Sequence, residues 1–370
     1  MKHFDILYFN KHHSYFSWKV PDMQSILLNN LINAGMETYL IHQPDGSELL
    51  VLPHGGRMLG LYAPGSETNF LWTNPVLESA DTARAFYTGD EWHNSGGDRT
   101  WLSPEIELFY PHRPGDGDDY FQPRQLDPGN YKVVSKVEII TLVNWLSVKP
   151  FNADRAINAE IRKSYLPATN PLRYHDGLGD VAYAGYAQQT SLTLPNPDEA
   201  EDAMLGLWNL LQMPNGGEML IPTYSMGRPV IYFGDVSEGD LIVNDRLTRY
   251  RMHSEGVHKI GISADVCAER AGYLYQQDGL WSLVIRNFRV NPSAEYIDIP
   301  WNKPAHTDNV FQACNVNNEL GQFSELEYHA PAIGGSSGLS QYDDESQVWA
   351  FRGSHDEMIS IARILLSPTV

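Results

Sequence analysis

The chain has 370 residues, 42% of them apolar, enough to close one large β domain or two ordinary domains around a core. Its 26 basic against 46 acidic side chains give a net charge of −20, a field that repels phosphate backbones and anionic lipids and so excludes nucleic acid and membrane surfaces as expected partners. Two distant cysteines, Cys267 and Cys314, form neither a disulfide framework nor a CxxC site, and no apolar run is long enough to span a bilayer.

The opening Met1–Ile6 lacks the apolar core and small-residue cleavage site of a secretory signal, so the expected compartment is the cytoplasm. His12 and His13 have no further ligands at useful spacing and read as solvated. Asp22 is placed to cap a helix with the apolar stripe Ile26, Leu27, Leu31 and Ile32, which Gly35 ends. This gives an N-terminal extension over residues 1–35, its helix lying outside a sheet, followed by one β-rich domain over 36–370.

From Thr38 the pattern becomes short strands: Thr38–His42 and Glu48–Pro53 around the turn Pro44-Asp45-Gly46, then Gly55–Tyr62 and Asn69–Trp72. A helical turn is expected at Asp81–Phe86. Gly96-Gly97-Asp98-Arg99-Thr100-Trp101-Leu102-Ser103-Pro104-Glu105 concentrates the groups that grip a polyol. The glycines allow close approach of a ligand, Arg99 offers a fork of donors, Trp101 a flat apolar face, and Asp98 and Glu105 acceptors. A buried Arg–Asp pair pinning a turn is the competing reading.

Further strands are expected at Tyr131–Val148, Ala159–Leu166 and Ala182–Leu194, the last with a wet face of Gln188, Gln189, Thr190 and Ser191. The loop Pro167–Asp180 carries Tyr174-His175-Asp176-Gly177, in reach of a lid role. Met204–Pro222 reads as strand, Pro-Asn-Gly-Gly turn, strand. Strands continue at Pro229–Phe233, Leu241–Tyr250, His258–Ile262, Gly272–Gln276, Leu280–Val290, Glu295–Ile299, Val310–Asn315 and Phe323–Ala330. A capping box, Ser354 to Glu357, opens a final helix with Met358, Ile361, Ala362, Ile364 and Leu365 on its apolar side. So many strands favour two large sheets packed face to face over one closed barrel.

The order of motifs resembles the galactose mutarotase-like (aldose-1-epimerase-like) superfamily, in particular a bacterial group of unassigned function. The likeness rests on Leu52–Met58, Gly96–Glu105, Leu207–Pro214 with Gly216-Gly217, Lys259-Ile260-Gly261 with Ala271-Gly272-Tyr273, and Ser324–Pro331, spanning roughly residues 36 to 352. The resemblance implies an all-β, mostly antiparallel β-supersandwich with peripheral helices and a sugar on the concave face of the larger sheet. It implies Glu327 as the base acting on the anomeric hydroxyl. Glu325, Glu327 and His329 would share one face of a strand. The matching strand Leu207–Leu210 lacks the family's catalytic histidine, leaving His93, His258, His306 and His329 as donors, with His329 and His93 nearest the strongest motifs.

The expected catalytic set is therefore Glu327, His329 and Glu105. The expected binding set is Asp98, Arg99, Trp101, Trp208, Gln212, Lys259, Glu325 and His93. The partner is a mono- or oligosaccharide. The reaction is epimerisation, or glycoside hydrolysis or lysis if Glu105 and Glu327 face each other. Binding without catalysis is the alternative. None of these readings calls for a cofactor or metal, since neither nucleotide-binding nor HExxH motifs occur.

Overall fold

The computed structural model describes residues 6–8, 25–112, 120–136, 139–201, 203–300, 302–303 and 308–370. His12, His13, Asp22 and His306 lie outside the described residues.

Two antiparallel sheets account for the strand-like sequence. The first runs, edge to edge, through Ile6–Tyr8, Tyr39–His42, Glu48–Leu52, Arg57–Tyr62, Asp98–Ser103, Met204–Pro214, Gly321–His329, Asn309–Asn318, Gly256–Ser263 and Val230–Phe233, with Ile333–Gly334 paired to the start of Met204–Pro214. The second runs through Leu241–Val243, Leu247–Arg251, Glu218–Pro222, Arg270–Gln277, Leu280–Asn287, Gln341–Gly353, Ala182–Thr193, Ile157–Pro167, Ile140–Val148 and Lys132–Ser135. One apolar cluster joins them: Val51, Met58, Leu102, Leu207, Leu211 and Leu326 from the first meet Leu142, Ile161, Tyr186, Ile221, Val284 and Val348 from the second. Each such fully buried aliphatic side chain contributes about 1.5–3 kcal/mol. The sandwich interface, rather than any single hairpin, therefore holds the fold.

The helices cover outer faces. Ile26–Ala34 is capped by Ser25, whose hydroxyl accepts from the Leu28 amide, and ends at Gly35 with φ of 90°. Its Leu28 and Leu31 pack on Leu50, Leu52 and Leu59, the residues of alternate parity to those facing the second sheet. At the other end both halves of the Ser354–Glu357 capping box form, and Met358, Ile361 and Ala362 of His355–Leu365 pack on Leu283, Ile285 and Phe351 of the second sheet. No described helix is long and apolar enough to cross a membrane.

Several expected strands are different. Asn69–Trp72 is irregular: the Asn69 side chain accepts from the Leu61 and Leu71 amides and donates to the Leu59 carbonyl, replacing ladder bonds. Glu295–Ile299 is irregular too: the Glu295 carbonyl accepts from the Ala332 amide and the Asp298 carbonyl from the Tyr232 hydroxyl, with no ladder between them. Leu241–Tyr250 folds into a hairpin closed by the Asn244 amide on the Leu247 carbonyl, and Tyr131–Val148 divides into two paired strands. The wet face of Ala182–Thr193 is half of what was expected. Gln188 and Thr190 are buried between the sheets, while Gln189 is exposed and Ser191 half-buried on the other side of the pleat. Tyr174 is exposed, and its neighbours Leu172 and Leu178 pack in the cluster under the C-terminal helix, so this loop is no lid over the first sheet.

Candidate functional site

The outer face of the first sheet carries the site, and register assembles it. Across the strands, Arg99 pairs with Leu210, Leu210 with Glu327, and Glu327 with Gln312. One step along, Gln212 pairs with Glu325, Glu325 with Cys314, and Cys314 with Lys259. One step the other way, Trp101 pairs with Trp208 and Trp208 with His329. Because side chains alternate with a period of two, these residues from five distant segments all project to one face. Arg99, Trp101, Trp208, Leu210, Lys259, Cys314, Glu325 and Glu327 among them line a cleft of about 740 Å³. Trp92, Tyr110, Tyr120, Tyr232 and Phe323 stand around it as aromatic walls.

Lys259 is the electrostatic centre. Its Nζ lies 3.0 Å from Glu327 Oε2 and 3.5 Å from Glu105 Oε2, over the Trp208 ring at 4.5 Å. Glu327 also accepts from Trp208 Nε1 at 2.8 Å, and Glu105 from the Tyr120 hydroxyl at 3.1 Å. Glu105 opens a short helix, Glu105–Leu108, whose first amide donates to Asp298 Oδ1 at 2.8 Å. Asp298 Oδ2 in turn accepts from Gln312.

A second ion pair lies beside the first. Arg99 Nη2 is 2.8 Å from Glu325 Oε1, which also accepts from Gln212 Nε2 at 3.1 Å. The Arg99 guanidinium sits 4.2 Å from the Trp101 ring centre and 5.5 Å from that of Trp92. Its Nε and Nη1 are buried and find no hydrogen-bond partner among the described residues.

Carboxylates outnumber cations here, and their proton affinities respond. Burial, aided by Glu325 and Glu105 and opposed by Lys259, pushes the Glu327 carboxyl up to about 8. Burial also raises Glu105, against Lys259 and with Asp298. Burial works against the charge on Lys259, but Glu105, Glu327 and Asp298 outweigh it and hold the ammonium well above its usual range. Both shifts favour a proton on the Glu327–Glu105 pair beside the Lys259 cation. Cys314, Glu325 and Glu327 bring three donor atoms within 4.8 Å of one another, a grouping able to hold a cation. Its two carboxyl groups are already paired, Glu327 with Lys259 and Glu325 with Arg99.

Of the residues singled out in the sequence, Glu327, Glu105, Arg99, Trp101, Trp208, Lys259 and Glu325 line the cleft. Gln212 stands behind Glu325 as its hydrogen-bond partner. His329 is 1% exposed, stacked on Trp208 at 5.6 Å, and pushed down to about 4 by burial, so it is neutral and screened from the cleft by the indole. His93 does not line the cleft: it pairs with His54 at 2.9 Å and packs among Phe86 and Tyr87. Asp98 points the opposite way, between the sheets, where it meets Arg286 and Tyr186. Gly96 and Gly97, with φ of 97° and 74°, are demanded by backbone rather than ligand, since a Cβ there would strike the Trp72 and Met58 carbonyls. Sequence reasoning missed Trp92, Tyr120, Tyr232, Asp298 and Cys314, which come from loops or strands without a motif. Only Trp92 carried a signal, its closeness to Gly96.

Residues 85–370 match the model of a family of unknown function, DUF6786, and the chain belongs to that family. No curated protein matches it. Among solved structures it is similar to galactose 1-epimerase from Lactobacillus acidophilus NCFM, with 10% identity and a TM-score of 0.44 over 95% of this chain and 99% of that one. It is also similar to the crystal structure of HI1317, with 9% identity and a TM-score of 0.42 over 85% and 93%.

Proposed function

We propose that the cleft binds a sugar ring and opens and recloses it by proton transfer between two carboxyl groups. The observation that carries this reading is the single buried ammonium of Lys259 held between Glu327 and Glu105 in an aromatic-walled cleft. Tryptophan faces suit the C–H face of a sugar, and the free guanidinium nitrogens of Arg99 suit its hydroxyls. With His329 screened and His93 outside the cleft, the acid and the base are both carboxyls. Glu327, the more buried of the two, carries the proton. It donates to the ring oxygen as the bond from the anomeric carbon breaks, while Glu105 takes the anomeric hydroxyl proton; reclosure on either face returns both. This reverses the base role that the family resemblance implies for Glu327. Lys259 keeps both groups close without itself donating, because the acids around it, Glu105 and Asp298 with Glu327, hold its proton well above the usual range.

The test is polarimetry or exchange NMR on freshly dissolved aldoses, with wild type and Glu327→Gln. Faster interconversion with wild type, lost in the variant, supports the reading. Binding with no rate change across a broad panel would leave a sugar-binding protein, and release of reducing ends from oligosaccharides would replace ring opening by glycoside cleavage.

A further inference from the structure

Two indoles of the cleft, Trp92 and Trp101, converge on one carboxylate that no sequence motif marks. Asp127 lies in the turn at residues 123–130, 3% exposed. Its Oδ2 accepts from Trp92 Nε1 and Trp101 Nε1, each at 3.0 Å, and from Arg57 Nη2 at 2.8 Å. The turn is itself tied to the second sheet: Asn144, on Ile140–Val148, accepts from the Asn130 amide and donates to the Gln125 carbonyl. Arg57 is anchored at its other nitrogen by the Gly96 carbonyl. One oxygen therefore fixes the rotation of two indoles from rigid ground.

Those indoles lead to both ion pairs. The Arg99 guanidinium, which holds Glu325, lies against the Trp92 and Trp101 rings. Trp101 meets Trp208 edge-on at 5.3 Å, and Trp208 bonds Glu327. We infer that Asp127 is a positioning residue for this cleft, orienting the Trp92–Trp101 wall and through it Arg99 and Trp208. The inference rests on the sugar reading of the cleft for its activity readout. An indole N–H bound to a carboxylate cannot turn without losing a charge-assisted hydrogen bond, so its face stays where a ring would stack.

Asp127→Asn, Trp92→Phe and Trp101→Phe are compared with wild type and Glu327→Gln for kcat and KM on the aldose turned over, and for tryptophan emission. The expected result is a loss of at least about tenfold in kcat/KM for Asp127→Asn, a smaller loss for each phenylalanine variant, and altered emission of the remaining indole. Simple destabilisation would leave kcat and KM of the folded fraction unchanged. If Asp127→Asn fails to fold because Arg57 loses its partner, the phenylalanine variants, which keep that ion pair, decide. Wild-type kcat and KM in all variants that fold, with Glu327→Gln inactive, would overturn the inference while leaving the sugar reading intact. A wild type that neither binds nor converts any aldose would remove the reading of the cleft, and this inference with it.

Discussion

Asp98 and Arg99 are neighbours in the chain and each belongs to a buried arginine–carboxylate pair, yet the two pairs occupy different media. Asp98 faces the second sheet. It accepts from Arg286 Nη1 at 2.8 Å and from the Tyr186 hydroxyl at 2.6 Å, with both ions of the pair wholly buried. Nearby Lys163 is pushed down to about 7, chiefly by burial and the Arg286 and Arg57 charges, against the pull of Asp98 and Asp127. Arg99 faces outward on the same strand. Its pair with Glu325 is equally short but lies on the wall of a cleft, with guanidinium nitrogens left over. The chemistry of an ion pair does not say whether it binds a ligand. The pleat decides which face it is on, and the space beside it decides the rest.

That contrast can be broken from either side. Asp98→Ala leaves the Arg286 charge uncompensated between the sheets and is expected to lower unfolding free energy by about 3–5 kcal/mol, read by denaturant titration. The folded fraction should keep its sugar chemistry. Next in size, Glu327→Gln should slow interconversion by about 10²–10⁴-fold without comparable loss of stability, and a variant with wild-type rate would remove Glu327 from the chemistry. Arg99→Ala should weaken sugar affinity by about tenfold in calorimetry while destabilising less than Asp98→Ala. The reverse order would make the two pairs equally structural.

A separate test concerns pH. Glu327 has its folded proton affinity raised to about 8, so the native state binds more protons than the unfolded chain between the ordinary carboxylate range and that point. Its contribution to stability is therefore complete in acid and lost as pH rises toward 8. Glu327→Gln should flatten the fall in stability over that window. In the wild type, the rate should drop on the alkaline side with a midpoint near 8. A rate that instead climbs through this range would return Glu327 to the role of base.

Much of the architecture was legible. The Ser354–Glu357 box, Gly35 and the short strands flanked by turn residues each rest on local chemistry, and two sheets follow from the number of strands. Asn69–Trp72 and Glu295–Ile299 misled because scattered partners far along the chain, the Tyr275 hydroxyl on the Phe70 carbonyl and the Tyr232 hydroxyl on the Asp298 carbonyl among them, take the place of a regular ladder. In the site, Arg99, Glu325 and Glu327 stood out as charges in strand-like surroundings. Trp92, Asp127 and Asp298 did not, since loop residues acquire meaning only from what they reach.

The sequence by itself determined the local elements and the period of two that sends Asp98 and Arg99 to opposite faces. Tertiary structure decided which face is open and which sealed, set Lys259 between two glutamates more than fifty residues from either, and placed His329 behind an indole. The physical reason is range. Hydrogen bonding and side-chain alternation act over a few residues, whereas burial and charge coupling depend on the register between strands that the chain brings together only when the sheets close.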